Sequence, residues 1–362
     1  MINVHHLASG DRWGGAESQL LNLMNGLREC GARTQALLLN DLETAQRLRD
    51  AGHTVDVFDE SGLGSREIAR QLRSQLKQQQ PEVLHTHRQK ENVLGCLARL
   101  GCHRGVSVRT QHGAAEYSPS LKQQLFVAAD WVCGRWLQDA VIAVSEDLRS
   151  QLESSFPAAR VHCIHNGIDI DSVRSAAQQA SRSDAQKHIA LVGRLEPVKR
   201  VDLFIDTAQY LCEHYPDQDW VFNIFGDGSL RQQLEQQASN GPAASRIRFH
   251  GHCTAIHKAI AEQDVLLMCS DHEGLPMTLL EAAALNTRVV AHAVGGIPEL
   301  IQSEAMGILV NEHRPQAYAE AIASALSAGN QAEIAQPFTH IGCAEAHLRL
   351  YQSLLAVPGS RS

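Results

Sequence analysis

Several patterns that define common protein classes are missing from this chain of 362 residues. No apolar run is long enough to span a bilayer, and the N-terminal segment lacks the basic and long apolar parts of a secretory signal peptide. The nine cysteines stand apart without a CxxC pair, which argues against a zinc knuckle and a disulfide framework. We therefore expect reduced thiols and a cytoplasmic location. No GxGxxG motif joins a strand to a helix, so a dinucleotide dehydrogenase is disfavoured.

The charge of the chain is acidic and unevenly distributed. The net charge is −8, and most of the excess of Asp and Glu lies after residue 170. Proteins that bind nucleic acids present basic surfaces, so we expect no nucleic acid partner. A phosphate site in the second half would have to be built from a few well-placed groups.

Histidine is abundant, but its arrangement does not predict a metal centre. Several of the 19 histidines fall in the strand-like runs HTH (85–87), HCIH (162–165) and HGHC (250–253), where neighbouring side chains point to opposite faces. Two DxD triplets, at 169–171 and 217–219, lie in polar connections rather than directly after a strand. We expect structural or surface roles for these residues, with no bound metal and no cofactor.

Short apolar runs rich in β-branched residues alternate with helical segments along almost the whole chain. This alternation predicts an α/β protein with two facing Rossmann-like, doubly wound parallel-sheet domains and an interdomain cleft. The predicted parts are an N-terminal domain over 1–168, a polar linker over 169–187, a second domain over 188–335 and a terminal helix in 336–362. Ligands of such sheets bind outside the carboxyl ends of the strands, so the cleft is the expected site.

Two glutamates, Glu273 and Glu281, stand in SDHEGLPMTLLEAAAL, which predicts a loop that leaves a buried strand and enters a helix. The loop places Glu273 at the edge of the sheet, where the start of the helix presents unpaired N–H groups to an anion. Glu281 follows one to two turns into the helix. A ligand that places a phosphate at the helix start and donates hydroxyl hydrogen bonds to the carboxylates would be a nucleotide sugar.

Basic residues follow the first strand of the second half. In HIALVGRLEPVKR the strand ends at Gly193 and Arg194, and Lys199 comes five residues after that arginine. Charge-assisted hydrogen bonds from the two cations to a diphosphate would each contribute about 1.5–3 kcal/mol. In FGDG, Gly226 allows a ligand to approach the backbone closely after the next strand.

The first half offers two further elements at the expected carboxyl edge of its sheet. Gly14 and Gly15 open a helix after the first strand, which would let a phosphate or a sugar approach the backbone. His112 ends another strand in RTQHG. The polar segment 113–122 is the expected contact for a second substrate.

Taken in order, these motifs resemble those of the family-4 retaining glycosyltransferases, which have the GT-B fold. Each motif alone is weak, whereas the ordered set covers nearly the whole chain in the family's order and spacing. The matching segments are GGAE (14–17), QHG (111–113), AVSEDL (143–148), HNGID (165–169), GRLEPVKRVDLFIDTA (193–208), FGDG (225–228), the E-x7-E pair and GGIPELI (295–301).

The resemblance implies a role for each candidate residue. Arg194 and Lys199 would stabilise the departing diphosphate, Glu273 would bind hydroxyls of the transferred sugar, and Glu281 would bind the ribose. His112 would lie beside the reacting sugar, while the departing phosphate accepts the proton of the acceptor hydroxyl. The terminal helix would cross back to the first domain. Further donor contacts are implied at Gly14, Gly15, Gly193, Gly226, Gly274, Leu275 and Pro276.

The substrates that the resemblance implies are a nucleotide-diphosphate sugar as donor and a glycan or lipid-linked saccharide as acceptor. Such acceptors occur in the synthesis of bacterial surface polysaccharide and lipopolysaccharide. Two other functions share the architecture: a nucleotide-sugar epimerase and a non-catalytic sugar-binding protein. The sequence identifies neither the sugar nor the nucleotide base.

One predicted helix, REIARQLRSQLK, carries a basic stripe formed by Arg66, Arg70, Arg73 and Lys77. Such a stripe is usually a solvated face. The alternative is peripheral contact with anionic lipid at the inner membrane surface, which would suit a lipid-linked acceptor.

Overall fold

The structure is a computed structural model. It describes residues 1–113, 121–178, 180–182, 184–327, 334–335 and 338–356. The chain divides into two compact units: Met1–Ile168 with the C-terminal segment that contains the last helix, and Asp169–Ala335. Most of segment 113–122, the expected contact for an acceptor, lies outside the described residues.

The first unit is an α/β unit. Its strands are Asn3–Ala8 (β1), Arg33–Leu38 (β2), Thr54–Val57 (β3), Val83–Thr86 (β4), Val106–Gln111 (β5), Ala140–Ala143 (β6) and Val161–Cys163 (β7). Its first six helices are Gly15–Glu29 (α1), Glu43–Asp50 (α2), Ser65–Gln79 (α3), Gln89–Arg99 (α4), Leu121–Val132 (α5) and Glu146–Glu153 (α6). Within the described part of the chain the strands form one parallel sheet in the order β3-β2-β1-β4-β5-β6-β7. The sequence order reverses at β1, as in doubly wound sheets.

Helix α3 illustrates how the sequence pattern produces this packing. Ile68, Leu72 and Leu76 recur at helical spacing, and all three are buried in a cluster that also contains Leu7 of β1 and Leu84 of β4. The polar residues between them face away from this cluster. Burial of the apolar stripe therefore fixes the helix on the sheet.

The second unit repeats the same architecture. Its strands are Lys187–Val192 (β8), Trp220–Phe225 (β9), Ile247–Gly251 (β10), Val265–Met268 (β11), Arg288–His292 (β12) and Ile308–Val310 (β13). Its helices are Ile170–Ala176 (α7), Val201–His214 (α8), Arg231–Ala238 (α9), Ile256–Ala261 (α10), Met277–Ala284 (α11), Ile297–Leu300 (α12) and Pro315–Ser327 (α13). Over the described ranges the sheet is parallel, in the order β10-β9-β8-β11-β12-β13. The two parallel sheets confirm the predicted α/β class.

The start of the second unit differs from the polar linker predicted over 169–187. Residues 170–176 form α7, and the side chain of Asp169 caps this helix by accepting a hydrogen bond from Ser172 N at 3.0 Å. Arg174 Nε donates to the carbonyl of Ala284 in α11 at 2.9 Å. An N-capping aspartate at the head of a helix favours helix formation over an open linker.

The last helix, His340–Ala356 (α14), packs against α1 in the first unit. The contact is close because α1 has a glycine there. A Cβ added at Gly26 would lie 2.5 Å from His340 O and 2.9 Å from the Cβ of Ala344. Tyr351 of the same helix is fully buried in the core that contains Val4 and Val108.

Among the described residues, no helix has both the length and the apolar character needed to cross a lipid bilayer.

Candidate active site

The carboxyl edge of the second sheet brings two predicted residues into direct contact. Lys199 ends a short 3₁₀ turn after β8, and Glu273 lies in the loop after the neighbouring strand β11. Lys199 Nζ donates to Glu273 Oε1 at 2.6 Å, and Ser270 Oγ donates to the same oxygen at 2.7 Å. The two charged side chains are largely shielded, with 21% and 9% of their surfaces exposed. An ion pair shielded in this way is screened less than an exposed one.

The backbone holds the two loops together beneath this ion pair. Asp271 N, after β11, donates to Val198 O, in the turn after β8, at 2.9 Å. Arg200 adopts a left-handed conformation with φ of 48°, and its guanidinium binds Asp202 and Asp271 at 3.1 Å. Arg200, which directly follows Lys199, thereby links the turn after β8 to the loop after β11. The position of the ammonium group is thus determined by both loops.

Glycines allow the loops at this edge to come together. Gly226 has φ of +134°, and a Cβ there would lie 1.9 Å from Gly193 O. Gly295 has φ of +55°, and a Cβ there would lie 1.8 Å from Glu273 O. Gly296 N donates to Gly274 O at 2.7 Å. The loop that carries Glu273 is therefore pressed against the loop after β12, and neither close approach leaves room for a side chain.

Glu281 lies in α11, the helix that follows this loop. Pro276 is the N-cap of the helix, and no side chain caps it. Glu281 is the fifth residue of the helix and is only 8% exposed, with His257 Nε2 at 3.7 Å from its Oε1. Leu275, beside the helix start, is buried. Both E-x7-E carboxylates are therefore buried, and each faces a nitrogen-bearing side chain, Lys199 or His257, as is usual for buried charged groups.

Arg194, the other predicted cation, directly follows Gly193 at the end of β8 and is exposed. It therefore lies at the same edge of the sheet as Lys199. Lys199 contacts Glu273, the first carboxylate of the E-x7-E pair.

In the first unit, the predicted residue His112 belongs to a row of imidazoles that we call the histidine row: His6, His87 and His112. His6 lies on β1, His87 directly follows β4, and His112 directly follows β5, three strands adjacent in the sheet. His6 Nδ1 lies 3.1 Å from His87 Nε2, and His87 Nδ1 lies 3.2 Å from His112 Nε2. Burial lowers the pKa of His112 to about 3 and holds those of His6 and His87 well below their ordinary value. The row is therefore neutral at pH 7.

His85 lies beside the histidine row, and the nitrogen atoms of His6, His85 and His87 are close enough together to be considered as metal ligands. The bonds of His85 argue against this use. Its Nδ1 lies 2.7 Å from Tyr351 Oη and its Nε2 lies 2.7 Å from Thr110 Oγ1, so both ring nitrogens have partners. The donor set does not fit a metal without breaking these bonds.

Gly14 and Gly15 lie at the start of α1, exposed, after β1. Next to them the structure places an ion pair between a buried glutamate and an exposed arginine, and no sequence motif had pointed to this pair. Glu17, only 4% exposed, lies 2.5 Å from the guanidinium of Arg88. Glu17 belongs to GGAE and Arg88 follows HTH, but a single charged residue in a sequence carries no sign of burial. Another buried acid, Glu91, has its pKa raised to about 7 by burial.

Two protein-family models together match residues 13–337 of the chain. The family model Glycosyltransferase Family 4 matches residues 13–172, and the model Glycosyl transferases group 1 matches residues 173–337. The alpha-maltose-1-phosphate synthase of Mycolicibacterium smegmatis is 30% identical over 271 residues, which cover 68% of each chain. The chain belongs to glycosyltransferase family 4.

Two further similarities extend over almost the full length of this glycosyltransferase. The UDP-Gal:alpha-D-GlcNAc-diphosphoundecaprenol alpha-1,3-galactosyltransferase of Escherichia coli is 22% identical, covering 82% of this chain and 83% of the relative. The crystal structure of Anabaena Alr3699/HepE in complex with UDP-glucose matches with a TM-score of 0.82 and 22% identity, covering 98% of this chain and all of the other. The structural match shows that the glycosyltransferase has the GT-B fold, as its sequence predicts.

Proposed function

We propose that this glycosyltransferase moves a sugar, with retention of anomeric configuration, from a nucleotide-diphosphate sugar to a hydroxyl of an acceptor. The observation that carries the proposal is the contact of Lys199 Nζ with Glu273 Oε1 at the carboxyl edge of the second sheet. In this site the ammonium and the carboxylate are held together before substrate binds. A diphosphate placed next to a bound sugar requires this pairing of one cation with one hydrogen-bond acceptor.

The proposed roles divide between the leaving group and the sugar. Lys199 and Arg194 bind the diphosphate, and Glu273 accepts hydrogen bonds from hydroxyls of the transferred sugar. Glu281 accepts hydrogen bonds from the ribose. Because Lys199 is shielded from water, its charge acts on a nearby phosphate more strongly than the charge of an exposed lysine would. The start of α11 lies at the same edge of the sheet, and the N-terminus of a helix attracts anions.

In the reaction, the bond from the anomeric carbon to the diphosphate oxygen breaks, and the acceptor oxygen forms a new bond to that carbon on the same face. The proton of the acceptor hydroxyl passes to the departing phosphate oxygen. Negative charge grows on the diphosphate as the bond breaks, and Arg194 and Lys199 stabilise it. Positive charge from these side chains and the helix start serves the role that a divalent metal serves in other transferases.

We propose a glycan or lipid-linked saccharide as acceptor. The support is the Escherichia coli relative, which is named for a UDP-Gal donor and an acceptor linked to diphosphoundecaprenol. An acceptor of this class would place the enzyme in the cytoplasm, at the inner membrane surface. The basic stripe of α3 is only partly available for lipid, since Arg70 pairs with Glu67 at 2.6 Å and Arg73 donates to Leu100 O at 2.5 Å.

A thermal-shift screen against UDP-, GDP-, ADP- and dTDP-sugars tests the donor assignment, because a ligand that binds only the folded state raises its stability. We expect one nucleotide class to raise the melting temperature of the wild type and of Glu304→Gln, an exposed carboxylate of the same unit. Glu273→Gln should bind the free nucleotide diphosphate but lose the additional shift given by its sugar. Equal shifts for Glu273→Gln and the wild type with the sugar would contradict the assignment of Glu273.

A further inference from the structure

Arg200 directly follows Lys199 and holds a backbone conformation that is unfavourable for an arginine. Its φ of 48° and ψ of 48° lie in the left-handed region, where the Cβ of an L-residue crowds its own backbone. Glycine adopts this conformation without that crowding. The residue stands where the 3₁₀ turn after β8 meets helix α8. The side chain, and not the backbone, must therefore explain the choice of arginine at this position.

The guanidinium of Arg200 binds two carboxylates. Its Nε lies 3.1 Å from Asp202 Oδ1, and its Nη1 lies 3.1 Å from Asp271 Oδ1. Asp202 belongs to the first turn of α8, so that bond is local, whereas Asp271 is 71 residues away in the loop after β11. The side chains of Arg200, Asp202 and Asp271 are 29%, 46% and 48% exposed. Ion pairs as exposed as these contribute little to stability, so stability alone does not explain the strained arginine.

The loop that carries Asp271 is also supported from the opposite side. His313, in the loop after β13, places its Nδ1 3.3 Å from Asp271 Oδ1. The ring of His313 packs against that of His292, the last residue of β12, with 3.5 Å between the ring centroids. His292 Nδ1 in turn lies 3.0 Å from Oη of Tyr318, which is fully buried in α13. The side chain of Asp271 thus connects to the ends of β12 and β13, and Arg200 joins the turn after β8 to this network.

We propose that Arg200 is a positioning residue that holds the turn carrying Lys199 against the loop carrying Glu273. Lys199 precedes Arg200 in the turn, and Glu273 lies two residues after Asp271. The bond from Arg200 to Asp271 therefore spans the two loops directly beside the contact of Lys199 Nζ with Glu273 Oε1. Arg200 acts through these two residues and does not itself touch the substrate. Its effect on catalysis rests on the proposed function, whereas the link between the loops does not.

Replacing Arg200 by glycine and by alanine separates the position of the loops from the stability of the fold. Both variants remove the guanidinium, but only glycine relieves the left-handed backbone, so Arg200→Gly should melt at a higher temperature than Arg200→Ala. Because a displacement of about 1 Å can lower a rate about 10²-fold, we expect both variants to lower kcat/KM by about 10–10²-fold. A purely structural role predicts instead that activity follows stability. Wild-type activity in Arg200→Gly would overturn the proposal.

The two carboxylate partners of Arg200 provide a matched pair of variants. Asp271→Ala and Asp202→Ala each remove one acceptor of the guanidinium, but only Asp271 shares a loop with Glu273. We expect Asp271→Ala to lower kcat/KM at least about tenfold and Asp202→Ala to leave it within about twofold of the wild type. The double variant Arg200→Gly/Asp271→Ala should be no slower than the slower single variant, since both changes break the same bond. Equal losses in the two alanine variants, or additive losses in the double variant, would contradict the link.

Amide hydrogen exchange tests the link between the loops without any substrate. Asp271 N donates to Val198 O at 2.9 Å, so exchange of this amide reports whether the two loops stay in contact. We expect faster exchange at Asp271 in Arg200→Gly than in the wild type, and unchanged exchange in Asp202→Ala. If the wild type transfers sugar from none of the donors, the proposed function fails, while the exchange rates still decide whether Arg200 holds the loops together. Equal exchange in Arg200→Gly and the wild type would refute the positioning role.

Discussion

Lys199 and Glu273, which are 74 residues apart in sequence, meet at 2.6 Å because β8 and β11 are neighbours in the second sheet. The carboxyl ends of parallel strands lie at one edge, so the turn after β8 and the loop after β11 enter the same space. Ser270 and the backbone bond from Asp271 to Val198 hold the pair in place. The cation and the carboxylate of the proposed site are thus held together by the fold itself.

Removing either member of this pair should reduce activity far more than stability. We expect Lys199→Met and Glu273→Gln each to lower the rate of transfer about 10²–10³-fold, the usual effect of losing one preorganised group. Lys199→Met should also lower the free energy of unfolding by about 1–3 kcal/mol, because it leaves the shielded carboxylate of Glu273 unpaired. Steady-state kinetics and urea denaturation measure the two effects, with Glu304→Gln as the control.

The double variant Lys199→Met/Glu273→Gln distinguishes the free energy of the interaction between the two residues from what each residue contributes to stability on its own. Its loss of stability should be smaller than the sum of the two single losses, since no charge remains unpaired. The rate of transfer by the double variant should be as low as that of the less active single variant. Additive losses of stability would show that the contact contributes nothing to the fold.

Gly226→Ala should disrupt the proposed donor site through the backbone. The new Cβ would lie 1.9 Å from Gly193 O, and φ of +134° is strained for any residue with a side chain. We expect a loss of at least about 2 kcal/mol in the free energy of unfolding, together with a weaker thermal shift by the nucleotide sugar. Gly62→Ala is the control, because a Cβ at Gly62 would meet nothing within 4 Å. Similar stability of the two variants would contradict the described loop contact.

Glu91 should make the fold less stable as the pH rises. Burial raises the pKa of its carboxyl from 4.5 to about 7, so the folded state binds this proton more tightly than the unfolded state. Between pH 4.5 and 7 the unfolded chain gives up the proton first, and the free energy of unfolding falls by an amount on the order of 3 kcal/mol. The stability of Glu91→Gln relative to the wild type should therefore increase across this window. Denaturant titrations at several pH values measure the difference, and a constant difference would exclude the effect.

His347 should make the fold more stable as the pH rises, which is the opposite of the effect of Glu91. Burial lowers the pKa of its imidazole from 6.5 to about 4, so the folded state holds it neutral where the unfolded state binds a proton. Its contribution to stability is present above pH 6.5 and is lost as the pH falls toward 4. His347→Phe should therefore make the acid-induced loss of stability less steep over this range. The same titrations check it, and an unchanged slope would contradict the neutral state of His347.

Much of the fold could be predicted from the sequence because the signals are local. Alternating β-rich and helical segments indicate parallel sheets whatever their strand order, and E-x7-E, GRLEPVK and GGAE each predict a loop at a strand end. The polar composition of 169–187 predicts a linker, and the structure places helix α7, capped by Asp169, in the first part of this segment. Ser172 N donates a hydrogen bond to Asp169 at the start of this helix, and Arg174 donates one to the carbonyl of Ala284 in α11.

What the sequence by itself determined is the set of chemical groups and the segments that carry them, because periodicity and turn residues act between near neighbours. Only the tertiary structure decided which groups meet. Glu17 became the buried partner of Arg88, and His112 became the end of a row drawn from β1, β4 and β5. Strand order in the sheet brings together residues far apart in the chain, and burial then sets their charge. Neither is encoded in any single stretch of residues.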